Sequence, residues 1–266
     1  MRAMRGEARS IGSVSAERVR DEIARILTEG GSFPNSARRG FELLDASGLL
    51  HEVLPEVEAM KGIQQPPEYH PEGDVWVHTL LMLGKLVPHP SVALALGVLL
   101  HDVGKPGTFR VAERIRFDGH VEKGVELAQG ILARLRFPNS VAEQALALVG
   151  NHMKFMDVGR MRESTLKRFL RLPEFEEHME LHRVDCLASH GDLGSYEFVR
   201  AKQREMPPEV LKPAPLVTGR DLIAAGYRPG PAFAEVLREV EDAQLEGRVR
   251  TKEEAMDLAR KEMGTR

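Results

Sequence analysis

The stretch 94-LALGVLLHDVGKPGTF-109 decides the fold. From Val92 to Leu100 it carries no charged or polar side chain, the profile of a helix buried on every side. The run ends in the doublet His101-Asp102, then breaks at Gly104 and turns at Pro106-Gly107. Burying an imidazole or a carboxylate without a partner costs several kcal/mol. A chain that ends its most apolar helix in this doublet needs a compensating group, and the rest of the sequence supplies candidates.

His78 sits among apolar neighbours in 75-VWVHTLLML-83. His120 opens a helix, His152 closes one in 149-VGNHMKF-155, and Asp185 lies within 181-LHRVDCLAS-189. Any one of them alone reads as a hydrogen-bonded core residue. Together, on separate helices facing one core, imidazole and carboxylate form the donor set of a divalent metal. This ligand chemistry is compatible with Mn, Ni, Co, Mg, Fe or Zn, as one ion or two.

Working outward, helical periodicity dominates and Gly and Pro punctuate it. Helices are predicted over 15–28, 35–46 and 49–60, with Ser15 and Asn35 as N-caps and Gly48 as a stop. Asp74 is expected to cap a helix to Val87, and Ser91 one to Val103. Between Thr108 and Asp118 the pattern turns to alternation (Phe109, Val111, Ile115, Phe117), which predicts a small β-hairpin. Further helices are expected over 120–137, 139–152, 164–170, 174–189 and 192–205. A linker with four prolines, 206-MPPEVLKPAPLV-217, follows, and then helices over 218–225, 231–246 and 251–263. The expected class is all-α with one hairpin. The layout is an N-terminal tail and helical neck (1–60), a helical body (61–205), and a linker with a helical tail module (206–266).

Composition narrows the function classes. The chain has 266 residues, a net charge of −3, one cysteine, and 42% hydrophobic against 29% charged residues. Those are the proportions of a soluble globular protein, and the charge argues against a globally basic nucleic-acid binder. A lone Cys186 excludes an internal disulfide and fits a reducing, cytoplasmic setting. No apolar run approaches a membrane span. MRAMRGEARS has no apolar core behind its arginines, so it reads as a disordered tail rather than a secretory signal.

The order His78, His101-Asp102, Asp185 resembles the HD superfamily of metal-dependent phosphohydrolases, an all-α fold. His120 and His152 fall where two-metal members carry further ligands. The stretches 65-QPPEYHPEGDVWVHTLLML-83, 182-HRVDCLASHGDL-193 and 215-PLVTGRDLIAAGYRPGPAFAEVL-237 narrow the match. They resemble the C-terminal, HD-containing half of bacterial tRNA nucleotidyltransferases, the CCA-adding enzymes. The nucleotidyltransferase head of that family carries a D-x-D carboxylate pair, and no D-x-D occurs in this sequence. The resemblance thus implies phosphoester hydrolysis, on 2′,3′-cyclic nucleotides or other nucleotide and RNA-end phosphoesters, and not nucleotide addition. It implies a first metal on His78, His101, Asp102 and Asp185, with Asp102 bridging to a second held by His120 and His152.

Three residues past Asp102, Lys105 is placed to stabilise charge on a phosphoryl oxygen. The segment 159-GRMRESTLKRFLRL-172 is locally basic, and Arg162, Lys167 and Arg168 are candidate contacts to substrate phosphates. His70 is a candidate for the mouth of the site. His182 is expected to hydrogen-bond Asp185 or a phosphate, and His178, after Glu176-Glu177, is expected to be exposed. A tRNA partner follows from the resemblance. The alternative to catalysis is a non-catalytic RNA-binding module with a structural metal. The sequence carries no signal for oligomeric state.

Overall fold

The chain is described by a computed structural model covering residues 6–30, 33 and 35–264. The first five residues of the expected tail, and residues 265–266, lie outside the described residues. Part of that tail, Ala8–Ser13, is a 3-10 helix instead of disordered chain. The helices that follow are α1 (Ala16–Thr28), α2 (Ser36–Ser47), α3 (Leu49–Val53), α4 (Pro55–Glu58), α5 (Val75–Leu83), α6 (Val92–Leu100) and α7 (Lys105–Thr108). Strands β1 (Arg110–Val111) and β2 (Ile115–Arg116) pair antiparallel, Arg110 opposite Arg116 and Val111 opposite Ile115. Then come α8 (His120–Arg134), α9 (Asn139–Asn151), a 3-10 helix (His152–Arg160), α10 (Glu163–Leu170) and α11 (Phe175–Ala188). The last are α12 (Gly194–Glu205), α13 (Pro208–Leu211), α14 (Gly219–Ala224), α15 (Pro231–Leu245) and α16 (Lys252–Gly264). The protein is all-α with one small hairpin, as its periodicity predicts.

Several local expectations are corrected. The single helix expected over 49–60 is broken at Leu54, whose φ of −135° and ψ of 61° lie outside the helical region. A residue before proline is driven from that region by the proline ring, so Pro55 starts a new helix. Helix α5 ends at Leu83, short of Val87, and α6 ends at Leu100, leaving His101 to Gly104 in a turn. Asp74 and Ser91 do cap: Asp74 Oδ1 accepts from Val77 N at 3.0 Å and Ser91 Oγ from Leu94 N at 3.0 Å. Asn35 does not, because it takes a left-handed conformation (φ 64°) with no side-chain bond to the helix start.

The chain divides into two compact units. The first comprises Met1–Met156 and Glu176–Tyr196, and the second Asp157–Phe175 and Glu197–Arg266. The core of the first is built around α6, where every residue from Ala93 to Leu100 is buried. Leu96, Leu99 and Leu100 pack there with Phe41, Leu54, Met82, Ile131 and Leu148. Each buried Leu or Phe contributes roughly 1.5–3 kcal/mol. Gly97 allows the close approach of α9, since a Cβ there would lie 2.8 Å from the Leu148 Cβ. The second unit has its own core of Val217, Leu222, Val236, Val240, Ala243, Val249, Ala255 and Ala259.

Candidate metal centre

The end of α6 delivers His101 and Asp102 into the interior of the first unit, both almost fully buried. The turn after them is possible because residue 104 is glycine. A Cβ there would lie 2.1 Å from the His120 carbonyl oxygen and 2.5 Å from Gly124 N, so only glycine lets the doublet pack against the start of α8. His78 arrives from the middle of α5, Asp185 from α11, His120 from the first position of α8 and His152 from the end of α9.

The six side chains form two adjoining trios. His78, His101 and Asp185 bring ligand atoms within 4.8 Å of one another, as do Asp102, His120 and His152. His78 Nε2 is 3.1 Å from Asp185 Oδ1. Asp102 stands between the trios: Oδ2 is 3.1 Å from His101 Nε2, and Oδ1 is 3.9 Å from His120 Nε2 and 3.8 Å from His152 Nε2. The two last nitrogens are 3.4 Å apart.

Three of the imidazoles are held in the same way. Nδ1 of His101 contacts the Val98 carbonyl at 2.8 Å, Nδ1 of His120 that of Phe117 at 2.9 Å, and Nδ1 of His152 that of Val149 at 2.7 Å. Each Nδ1–H is thereby donated to the backbone three residues earlier, and each Nε2 lone pair faces inward. Both ring nitrogens of His78, and His101 Nε2, are buried and have no aligned hydrogen bond among the described residues.

The charges suit a cation. Burial would raise the Asp102 carboxyl, but His101 and Lys105 hold it well below the usual carboxylate range. Asp185 is likewise held low, by His78 against its own burial. Burial, with His101 adding to it, pushes His152 down to about 4, and burial lowers His120. His78 goes the other way: Asp185 and Glu72 overcome its burial and push it up to about 9. Ionised carboxylates and neutral, inward-facing imidazoles are what a divalent ion requires, and an ion binding here would displace the proton that Asp185 and Glu72 favour on His78. The donor set fits one, and the cofactor of this domain is a divalent metal.

Lys105 is buried rather than solvated. Its Nζ donates to Asp102 Oδ2 at 2.6 Å and to Gln65 Oε1 at 2.6 Å, and lies 5.2 Å from the centre of the Phe117 ring. His70 reaches the same region, its ring centre 4.9 Å from that of His78. His182 belongs to the first unit but does not bond Asp185. Its ring stacks on Phe155 at 4.2 Å, with Cys186 Sγ 3.6 Å from Nε2. His178 is 2% exposed, which corrects the expectation that it faces solvent.

Arg162, Lys167 and Arg168 lie in the second unit, apart in the chain's division from the histidine cluster. Lys167 is buried, donating to the Leu245 carbonyl at 2.6 Å and pairing with Glu163 at 2.7 Å. Arg168 pairs with Glu241 at 2.5 Å and with Asp242. Arg162 is exposed. Arg168 and Arg171 are thus answered by carboxylates distant in sequence, and Lys167 by Glu163 within the segment.

Two polar residues of the site escaped the sequence reading. Gln65 is buried beside Lys105, and Glu72 contacts both His70 and His78. Both lie in 65-QPPEYHPEGD-74, where no helical or strand period marks an inward face. The turn is closed by a bridge between Gln64 and Asp74, by Gln65 N donating to the Gly73 carbonyl at 2.7 Å, and by Gly73 at φ 83°. That closure turns Gln65 and Glu72 inward.

A helical body with a His, a His-Asp doublet and a distant Asp gathered at its centre defines an HD domain. The HD domain family matches residues 77–211, and the chain belongs to that family. Residues 1–61 match a second family, described as the probable RNA and SrmB-binding site of polymerase A. Over 248 residues the chain is 36% identical to the CC-adding tRNA nucleotidyltransferase of Thermus thermophilus, covering 90% of this chain and 55% of that protein. It is 35% identical over 255 residues to the A-adding tRNA nucleotidyltransferase of Deinococcus radiodurans, covering 90% and 56% respectively. It is 34% identical over 232 residues to the multifunctional CCA protein of Nitrosococcus oceani, covering 84% and 54%. The chain thus spans about half the length of these relatives and resembles the HD-containing half of CCA-adding enzymes. No helix among the described residues is long and apolar enough to cross a membrane.

Proposed function

We propose that this chain is a metal-dependent phosphohydrolase acting on a nucleotide or RNA-end phosphoester, such as a 2′,3′-cyclic phosphodiester or a phosphomonoester. The observation that carries the reading is Asp102, whose Oδ2 faces His101 Nε2 while its Oδ1 faces Nε2 of both His120 and His152. His78, His101, Asp102 and Asp185 would hold one ion, and Asp102, His120 and His152 a second. A divalent ion held there supplies Lewis acidity, which polarises a phosphoryl oxygen and makes water acidic enough to serve as nucleophile near neutral pH. The protein's part is to keep Asp102 and Asp185 ionised and the three carbonyl-bonded histidines in one tautomer. Lys105, fixed against Asp102, sets positive charge beside the place where negative charge grows on the phosphoryl group. His70 lies beside His78 as a candidate substrate contact.

The test is hydrolysis of 2′,3′-cyclic AMP by metal-loaded protein beside the Asp102→Ala variant. Turnover in the wild type and none in the variant is the expected result. Turnover unchanged in Asp102→Ala would remove the reading.

RNA recognition is a second reading, favoured by the match of residues 1–61 to an RNA-binding region and by the tRNA-modifying relatives. It places tRNA or another RNA as partner, in a chain working in the cytoplasm. Lys167 and Arg168 are engaged with backbone and carboxylates within the second unit. Affinity for tRNA that falls steeply with salt is expected. A titration at low salt that shows no binding would end this reading.

A further inference from the structure

The three histidines bonded to carbonyls share a local solution that is closed to the fourth. His101, His120 and His152 each stand at a helix end and bond through Nδ1 to the carbonyl three residues earlier. His78 stands mid-helix, and the carbonyl three residues before it, that of Val75, accepts from Thr79 Oγ1 at 2.9 Å. The orienting acceptor for His78 must therefore come from elsewhere in the chain. Glu72 supplies it. Its Oε1 lies 2.6 Å from His78 Nδ1 and accepts from His70 Nδ1 at 2.9 Å, and its side chain is 6% exposed. Its Oε2 is buried with no partner among the described residues, so the carboxylate is held there by the two imidazoles and the turn. Gly73 at φ 83° allows the reversal that aims it.

We propose that Glu72 is a positioning residue of the metal centre, fixing the tautomer and ring orientation of His78 so that Nε2 is presented to the ion, and holding His70 beside it. A carboxylate acceptor strengthens the imidazole as a donor more than a carbonyl does. His78 is then the most strongly donating of the four histidines, and the HPEG turn belongs to the centre although it carries none of the six ligands. The proposal rests on the metal-centre reading above.

The test is a titration of metal-free protein with Co2+, following the visible bands and the stoichiometry, for wild type, Glu72→Ala, Glu72→Gln and Asp102→Ala. Loss of an orienting partner typically weakens metal affinity about 10–100-fold. Glu72→Ala is expected to raise the Co2+ Kd by that factor with the same number of ions bound and shifted bands. Glu72→Gln keeps an acceptor oxygen and is expected to lie between Glu72→Ala and wild type. It also serves where Glu72→Ala fails to fold. An unchanged Kd in both variants would overturn the proposal. Loss of one whole ion, with the remaining affinity intact, would also overturn it, because Glu72 would then be a ligand of the His70, Glu72 and His78 cluster rather than an orienting group. The readout is binding, so it stands whether or not a phosphoester is hydrolysed. Asp102→Ala retaining full Co2+ affinity would instead mark failure of the metal-centre reading itself.

Discussion

Lys105 and Asp102 meet at 2.6 Å with both side chains nearly excluded from water. Removing one charge of such a pair leaves the other uncompensated in the interior, at a cost of about 3–5 kcal/mol. Lys105→Met is accordingly expected to lower the Tm of metal-free protein by many degrees. Added divalent ion should recover more Tm in the variant than in wild type, because the ion replaces the countercharge that Lys105 gave to Asp102. Equal metal-induced shifts in the two proteins would contradict this. His178 gives a pH prediction at the same scale. Burial, with the charge of Lys154 adding to it, pushes its imidazole from an ordinary value near 6.5 down to about 4. Between these values the unfolded chain binds the proton and the folded chain does not, so stability rises with pH across that window. The contribution is complete above about pH 6.5 and is lost as pH falls towards 4, by about 3 kcal/mol at 1.36 kcal/mol per unit. His178→Leu should flatten the Tm-against-pH slope between about pH 4 and 6.5 without abolishing it, since His152 and His182, also pushed down to about 4 by burial, share it. An unaltered slope would show that His178 is protonated without penalty.

At the scale of elements, the join between α6, α7 and α8 depends on the missing side chain of Gly104. Gly104→Ala must push the start of α8 away from the doublet, since the new Cβ would meet backbone atoms of His120 and Gly124 that cannot rotate aside. Overpacking of this kind costs about 1–3 kcal/mol. The expected signature is a lower Tm together with weaker metal binding, because Asp102 and His120 are displaced relative to each other. A lowered Tm with intact metal affinity would mean that the strain relaxes away from the site. How much of this was legible follows from where each signal resides. The His-Asp doublet at the end of an apolar run, the caps at Asp74 and Ser91 and the alternation at Phe109 to Phe117 are local patterns, and the structure reproduces them. The break at Pro55 was also local but was outweighed by the apolar period on either side. Glu72, Gln65 and the carboxylates that answer Arg168 were not legible. Their roles arise from a turn without a period and from partners more than seventy positions away in the case of Glu241 and Asp242.

At the scale of the whole molecule, the candidate ligands and the basic segment are assigned to different units. All six candidate ligands belong to the first unit, whereas Arg162, Lys167 and Arg168 belong to the second, with its own apolar core. Ligand binding stabilises the folded state by RT ln(1 + [L]/Kd), about 2.7 kcal/mol at a hundredfold excess over Kd. That free energy opposes the opening reactions that break the site. The candidate ligands come from α5, the ends of α6 and α9, the start of α8, and α11, so these segments are where amide hydrogen exchange should slow when metal is added. Exchange in α15 and α16, which carry the second core, should stay as it was. Mass spectrometry of the exchanged peptides, with and without Co2+, decides the matter. Protection confined to the ligand-bearing helices is the expected pattern. Equal protection of α15 and α16 would show that metal binding is felt by the entire chain, and the assignment of the centre to the first unit alone would no longer describe its energetics.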